Sequence, residues 1–107
     1  MQAQEIHREN IIIIGAGPCG LAAAVELKKI GLNPLVIEKQ NVVHSISRYP
    51  VYLEFFSSPE NLEIDDIPFT TAGPKPTRLE ALHYYRTVAL RRGVRIHTFT
   101  TVERLSA

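Results

Sequence analysis

The segment IIIIGAGPCGL, residues 11–21, decides the fold of this chain. Its four consecutive isoleucines are typical of a strand buried on both faces of a parallel sheet. Residues 21–30 are rich in helix formers, while Pro18 suits the first turn of a helix and Gly31 suits the left-handed position that ends one. A second short apolar run follows at residues 35–37. The order strand, helix, strand predicts a right-handed parallel βαβ unit.

Three glycines between the first strand and the helix have the spacing G-x-G-x-x-G, which is the pattern of a dinucleotide-binding loop. We expect Gly15 to permit a tight turn, Gly17 to leave room for a pyrophosphate, and Gly20 to let helix and strand pack closely. The unpaired N–H groups and the positive dipole end of the helix would then face the phosphates. The alternative is that the glycines only form a tight turn between strand and helix.

An acidic residue, Glu38, stands at the end of the second predicted strand. A carboxylate at this place can accept hydrogen bonds from both hydroxyls of an adenosine ribose, and it repels a 2′-phosphate. The site is therefore expected to favour FAD or NAD over NADP. An ordinary solvated strand end is the alternative for Glu38. The residues alone do not separate FAD from NAD, because both cofactors carry ADP.

The remainder of the chain is less regular until a second helix begins. Residues 40–75 show little periodicity and are expected to be irregular, as binding loops often are. Thr77 and Glu80 have the spacing of a capping box, which predicts a helix from there to about Arg92. Its apolar face is expected to contain Leu79, Leu82, Tyr85, Ala89 and Leu90. Residues 94–101 alternate between apolar and polar and predict a third strand.

Composition excludes several classes of protein. The 107 residues form one domain at most, and 45% of them are hydrophobic, which is enough for a core. The charged side chains are scattered along the chain and nearly cancel, which leaves a net charge of +1 and argues against a nucleic-acid binder. A single cysteine and four histidines without ligand spacing predict no metal.

No membrane or export segment is predicted. Residues 11–25 are too short and too interrupted to span a membrane, and residues 1–10 lack the apolar centre of a secretory signal. We therefore expect a cytoplasmic protein. The sequence is compatible with a homo-oligomer.

The glycine loop, followed by Val36-Ile37-Glu38-Lys39, resembles the FAD half of flavoprotein disulfide reductases and flavin monooxygenases. More narrowly, the chain resembles the bacillithiol disulfide reductases of the YpdA type. The similarity extends along nearly the whole chain, through short segments in a specific order: GPCG at 17–20, NVV at 41–43, SI at 45–46, YP at 49–50, FFS at 55–57, LEI at 62–64, PF at 68–69, KP at 75–76 and YYR at 84–86.

This resemblance implies a Rossmann-like α/β fold built on a parallel sheet. Residues 1–107 are expected to form the N-terminal part of the FAD-binding domain of a flavoprotein with two dinucleotide-binding domains. The NAD(P)H-binding domain is absent from this chain, so the chain alone is not expected to be the whole catalyst. The implied substrate is a small-molecule disulfide. A flavin monooxygenase fragment and a non-catalytic dinucleotide-binding module, or truncated product, are the alternatives.

The resemblance also implies residue roles. Residues 15–20 would hold the pyrophosphate, Glu38 with Lys39 the ribose, the backbone at Val102 the adenine, and residues 45–50 would pass the flavin. The implied cofactor-binding residues are Gly15, Gly17, Pro18, Cys19, Gly20, Glu38, Lys39, Ser45 and Val102. Cys19 is also a candidate for the thiol that engages the disulfide. Alternatively, it is an inert small side chain where such loops often carry alanine.

Overall fold

A computed structural model describes residues 6–106, so the predictions for residues 1–5 and 107 lie outside the described residues. It contains a parallel three-stranded sheet and four helices. In chain order, the elements are β1 (Ile12–Ile14), α1 (Pro18–Lys29), β2 (Leu35–Ile37), α2 (His44–Ser47), α3 (Pro59–Leu62), α4 (Arg78–Arg91) and β3 (Arg95–His97).

The predicted βαβ unit is confirmed. β1 and β2 pair in parallel with Ile13 opposite Val36, and α1 connects them. Gly31 has φ +90°, the left-handed conformation expected at the end of α1. β3 joins β2 in parallel with Ile96 opposite Val36, so that β2 lies in the centre of the sheet. The fold is therefore Rossmann-like, as expected.

The two faces of the sheet differ in burial. On one face Ile13, Val36 and Ile96 lie side by side and pack with Ala24 of α1. On the other, which we call the open face, Ile12 and Ile14 are 49% and 56% exposed. The expectation that β1 is buried on both faces is therefore wrong for residues 6–106, because no element in this part of the chain covers the open face of β1.

Helix α4 begins where the sequence predicts and buries three of the five residues expected in its apolar face, Leu82, Tyr85 and Ala89. The Thr77 side chain accepts from the Glu80 N–H, and the Glu80 side chain accepts from the Thr77 N–H, so the capping box is present. Leu79 and Leu90 were expected in the apolar face but are 65% and 84% exposed. The buried residues of the helix are Ala81, Leu82, Tyr84, Tyr85, Val88 and Ala89.

The loop that follows α3 causes this difference. Phe69 stacks on Tyr84 with the ring centres 4.2 Å apart. The Tyr84 hydroxyl donates to the Ile67 carbonyl (2.7 Å) and accepts from the Ile64 N–H (2.8 Å). Packing against this loop turns Tyr84 inward and leaves Leu79 and Leu90 outside.

Strand β3 is shorter than predicted. It ends at His97 rather than Thr101, because Phe99 adopts a left-handed conformation with φ 53°. The chain then follows the end of β2, where Phe99 N–H donates to Gln40 O and Thr100 N–H to Glu38 O. Residues 40–75 are irregular as expected, apart from the one-turn helices α2 and α3.

Residues 6–106 offer neither a membrane span nor a metal cluster. None of the helices in this part of the chain is long and apolar enough to cross a membrane. No group of three or more His, Cys, Asp or Glu side chains is placed to hold a metal ion there. His83 and His97 are exposed on their elements.

Candidate cofactor site at the carboxyl end of the sheet

The glycine loop connects β1 to α1 at the edge where the parallel strands end. Gly15 has φ +102°, which other residues rarely adopt, and its N–H donates to Ile37 O (2.8 Å). A β-carbon added to Gly20 would lie 2.1 Å from the Gly15 carbonyl oxygen. Helix and strand thus approach so closely at Gly20 that no side chain fits.

Gly17 differs from both of these glycines. Its φ of −78° and ψ of −178° are open to any residue, and a β-carbon built on it has no atom within 4 Å. Neither backbone conformation nor packing among the described residues accounts for a glycine here. The space beside it is open to a molecule that approaches the main chain.

The carboxylate of Glu38 is directed at the glycine loop. One oxygen accepts from the Ala16 N–H (2.9 Å) and the other from the Gln40 N–H (2.7 Å). The ion pairs of the described residues lie elsewhere. Because a carboxylate has about four acceptor positions, lone pairs remain for two further donors, as a ribose diol would require.

Two cavities lie beside Glu38 and Lys39. The first, of about 250 Å³, is lined by Gly15 and Val102 together with these two residues. The second, of about 300 Å³, is lined by Gly17, Pro18 and Ser45 in addition to Glu38 and Lys39. Seven of the nine residues expected to bind the cofactor thus line one or both of these two cavities: Gly15, Gly17, Pro18, Glu38, Lys39, Ser45 and Val102.

Three aromatic side chains also line the second cavity: Tyr49, Phe55 and Tyr85. Tyr49 among them belongs to the segment 45–50 that the resemblance places beside the flavin. The Tyr85 hydroxyl donates to Leu62 O (3.0 Å), and burial, with a smaller contribution from neighbouring Tyr84, raises the pKa of Tyr85 to about 12. Tyr85 therefore stays neutral at physiological pH and presents an uncharged aromatic surface.

Of the two remaining residues, Gly20 lies at the close approach of helix and strand, and Cys19 lies in the first turn of α1 and is exposed. It does not line either cavity, but it follows Pro18, which does. The N-cap of α1 is Gly17, which has no side chain to cap the helix. The sulfur therefore sits at a helix start whose N–H groups favour an anion.

A family model described as pyridine nucleotide-disulphide oxidoreductase matches residues 12–107. The chain belongs to this family. Bacilliredoxin reductase Bdr of Bacillus subtilis (strain 168) is 58% identical to it over 85 residues, which are 79% of this chain and 26% of that protein. Indole-3-pyruvate monooxygenase YUCCA6 of Arabidopsis thaliana is 32% identical over 95 residues, or 86% of this chain and 23% of that protein.

Solved structures of other proteins share the fold of this chain. Bacillithiol disulfide reductase Bdr (YpdA) from Staphylococcus aureus superposes with a TM-score of 0.85 at 47% identity, over 88% of this chain and 29% of that one. A flavin-containing monooxygenase from Stenotrophomonas maltophilia gives 0.84 at 24% identity, over 91% of this chain and 30% of that one, and shows the shared fold alone. The expected resemblance is confirmed. The chain spans about a quarter of the length of the curated relatives named above.

Proposed function

We propose that the chain is the FAD-binding part of an NAD(P)H-dependent oxidoreductase that reduces a low-molecular-weight disulfide of the bacillithiol type. In this proposal residues 1–107 are the N-terminal part of the FAD-binding domain, and a second dinucleotide-binding domain elsewhere in a cytoplasmic protein receives NAD(P)H. The reaction converts one disulfide, NAD(P)H and a proton into two thiols and NAD(P)⁺. The similarity to bacillithiol disulfide reductase Bdr of Staphylococcus aureus supports this substrate class.

The observation that carries the cofactor assignment is the open space at Gly17. A glycine with an ordinary backbone conformation and no neighbour within 4 Å of its β-position fits a phosphate that contacts the main chain. The uncapped N–H groups of the first turn of α1 can donate to that phosphate. The pyrophosphate of FAD therefore fits beside Gly17.

The remaining residues bind other parts of the cofactor. Glu38 accepts hydrogen bonds from the ribose hydroxyls, and the cavity bounded by Val102 takes the adenine. The larger cavity, which Ser45 and Tyr85 both line, takes the flavin end of the cofactor. When bound, FAD supplies the redox chemistry, while this chain supplies placement and electrostatics.

Replacing Gly17 with alanine tests the phosphate assignment. We expect the unfolding temperature of the cofactor-free protein to fall only slightly, because the added methyl group meets no protein atom and only the N-cap preference for glycine over alanine is lost. We expect FAD affinity to fall by about a hundredfold, because the methyl group occupies the space of the pyrophosphate. Isothermal titration with FAD and thermal unfolding of the cofactor-free protein measure the two quantities. Undiminished affinity would show that no phosphate contacts this part of the loop.

Replacing Glu38 with glutamine tests the ribose contact. Glutamine has one acceptor oxygen in place of two, and we expect FAD to bind about tenfold more weakly. Glu60→Gln is the matched control, since Glu60 is exposed on α3 and far along the chain from the loop. Equal FAD affinities for the two variants would contradict the role of Glu38.

The function itself is tested on the purified full-length protein. We expect the visible spectrum of a bound flavin and oxidation of NADPH that depends on added bacillithiol disulfide. NADPH oxidation that instead inserts oxygen into a carbon or sulfur substrate would favour a flavin monooxygenase. A colourless protein that takes up no FAD would overturn the proposal.

A further inference from the structure

Two arginines of α4 bond to the main chain on either side of one short segment. Arg86 Nε donates to the Val42 carbonyl (3.3 Å), and Arg78 Nη1 donates to the Ser47 carbonyl (3.2 Å). They are separated by about 12 Å along the helix axis, at a rise of about 1.5 Å per residue. Both contacts are partly buried. The segment between the two carbonyls, residues 43–47, contains α2 and is called the α2 turn.

The α2 turn forms one side of the cavity assigned to the flavin end of the cofactor. Val43, His44, Ser45 and Ile46 all line it, as do Gly17 and Pro18 of the glycine loop and the start of α1. The Val43 N–H donates to the Ala16 carbonyl (2.9 Å), which ties the turn to the glycine loop. Its distance from that loop therefore determines the width of the cavity.

The backbone of the α2 turn is strained at its start. Val43 has φ 51° and ψ 40°, a left-handed conformation that is rare for a β-branched residue. Strain of this kind persists only where the surroundings enforce it, and it is concentrated at ligand sites. Val43 is buried and carries the bond to Ala16, so packing and hydrogen bonding hold it in place.

The side chain of Arg78 is also placed differently from that of an ordinary surface arginine. Its Nε is buried and has no partner within the described part of the chain. Burying a donor without a partner is unfavourable, and long charged side chains usually avoid it by reaching water. The buried position of the Arg78 side chain is therefore explained by its Nη1 group, which donates to the Ser47 carbonyl at the end of the α2 turn.

We propose that Arg86 and Arg78 are positioning residues that hold the α2 turn at a fixed distance from the glycine loop and so set the geometry of the flavin-end cavity. This inference rests on the proposed function. Arg86 acts at the strained start of the turn and Arg78 at its end. Neither lines the cavity, so both act through the turn alone.

The test compares Arg86→Met, Arg78→Met and Arg86→Lys in the full-length protein with Arg91→Met, an exposed arginine on the last turn of the same helix. For both positioning variants we expect FAD affinity to fall about tenfold, as for the loss of a hydrogen bond to a charged group. We also expect an altered visible circular dichroism of the bound flavin. Lysine at position 86 should recover part of both, since it can still donate to the carbonyl, and Arg91→Met should match the wild type.

The unfolding temperature of the cofactor-free variants separates positioning from stability. Lower stability together with unchanged FAD affinity and an unchanged flavin dichroism would overturn the inference, because the arginines would then only support the fold. If Arg86→Met does not fold, Arg78→Met and Arg86→Lys decide by the same criteria. A wild-type protein that takes up no FAD would instead reject the proposed function on which the inference rests.

Discussion

Replacing Gly20 with alanine is expected to destabilise the protein by about 3 kcal/mol or more, the upper range for forcing extra atoms into a packed site. The new β-carbon would lie 2.1 Å from the Gly15 oxygen and 3.2 Å from the Gly15 carbonyl carbon. Both are main-chain atoms, and Gly15 is held by its bond to Ile37, so neither can move aside cheaply. Such a loss is a large part of the stability of a typical domain, about 5–15 kcal/mol.

Urea unfolding of the full-length protein measures this loss. The matched control is Gly73→Ala, because Gly73 is exposed and a β-carbon there meets no atom within 4 Å. We expect the control to change the free energy of unfolding by less than about 0.5 kcal/mol. A Gly20→Ala protein as stable as the control would show that helix and strand do not approach as closely as described.

Replacing Cys19 with alanine is expected to abolish disulfide turnover while FAD stays bound. The Cys19 thiolate would attack one sulfur of the substrate and form a mixed disulfide, and the other half would leave as a thiolate that takes up a proton from water to become the first thiol. Reduction of the mixed disulfide with the electron pair of NAD(P)H would return the thiolate and release the second thiol. Alanine can make no such bond.

The controls separate chemistry from binding. Because Cys19 is exposed, the substitution is expected to change stability by less than about 0.5 kcal/mol. The flavin spectrum and the oxidation of NADPH with an artificial electron acceptor should both be retained, since neither needs a thiol. Unchanged reduction of bacillithiol disulfide by Cys19→Ala would end the catalytic role of Cys19 and leave it a small residue of the loop.

The sequence predicts the parts of this fold that depend on local chemistry. Isoleucines, glycines and Pro18 suffice to place β1, the loop and α1, because strand propensity, turn conformation and helix start are each determined by a few neighbouring residues. The capping box at Thr77 is predictable for the same reason. The exposure of Ile12 and Ile14 is not, since burial depends on which elements cover a strand rather than on the strand itself.

The same distinction applies to the candidate site. The residues of the glycine loop can be predicted from motif spacing and from the resemblance to known families. The conformation of the α2 turn cannot be predicted, because no local preference would put Val43 in a left-handed conformation. Arg86 belongs to the YYR segment, residues 84–86, on which the resemblance partly rests. Only the tertiary structure shows that its side chain donates to the Val42 carbonyl, forty-four positions earlier.

The open face has a consequence for the behaviour of the isolated chain. Ile12 and Ile14 belong to β1, which is an edge strand of the sheet within residues 6–106. Exposed apolar side chains and unpaired main-chain groups therefore lie close together there. Proteins with an exposed apolar edge strand tend to aggregate. The isolated chain of 107 residues is therefore expected to self-associate through this edge of the sheet.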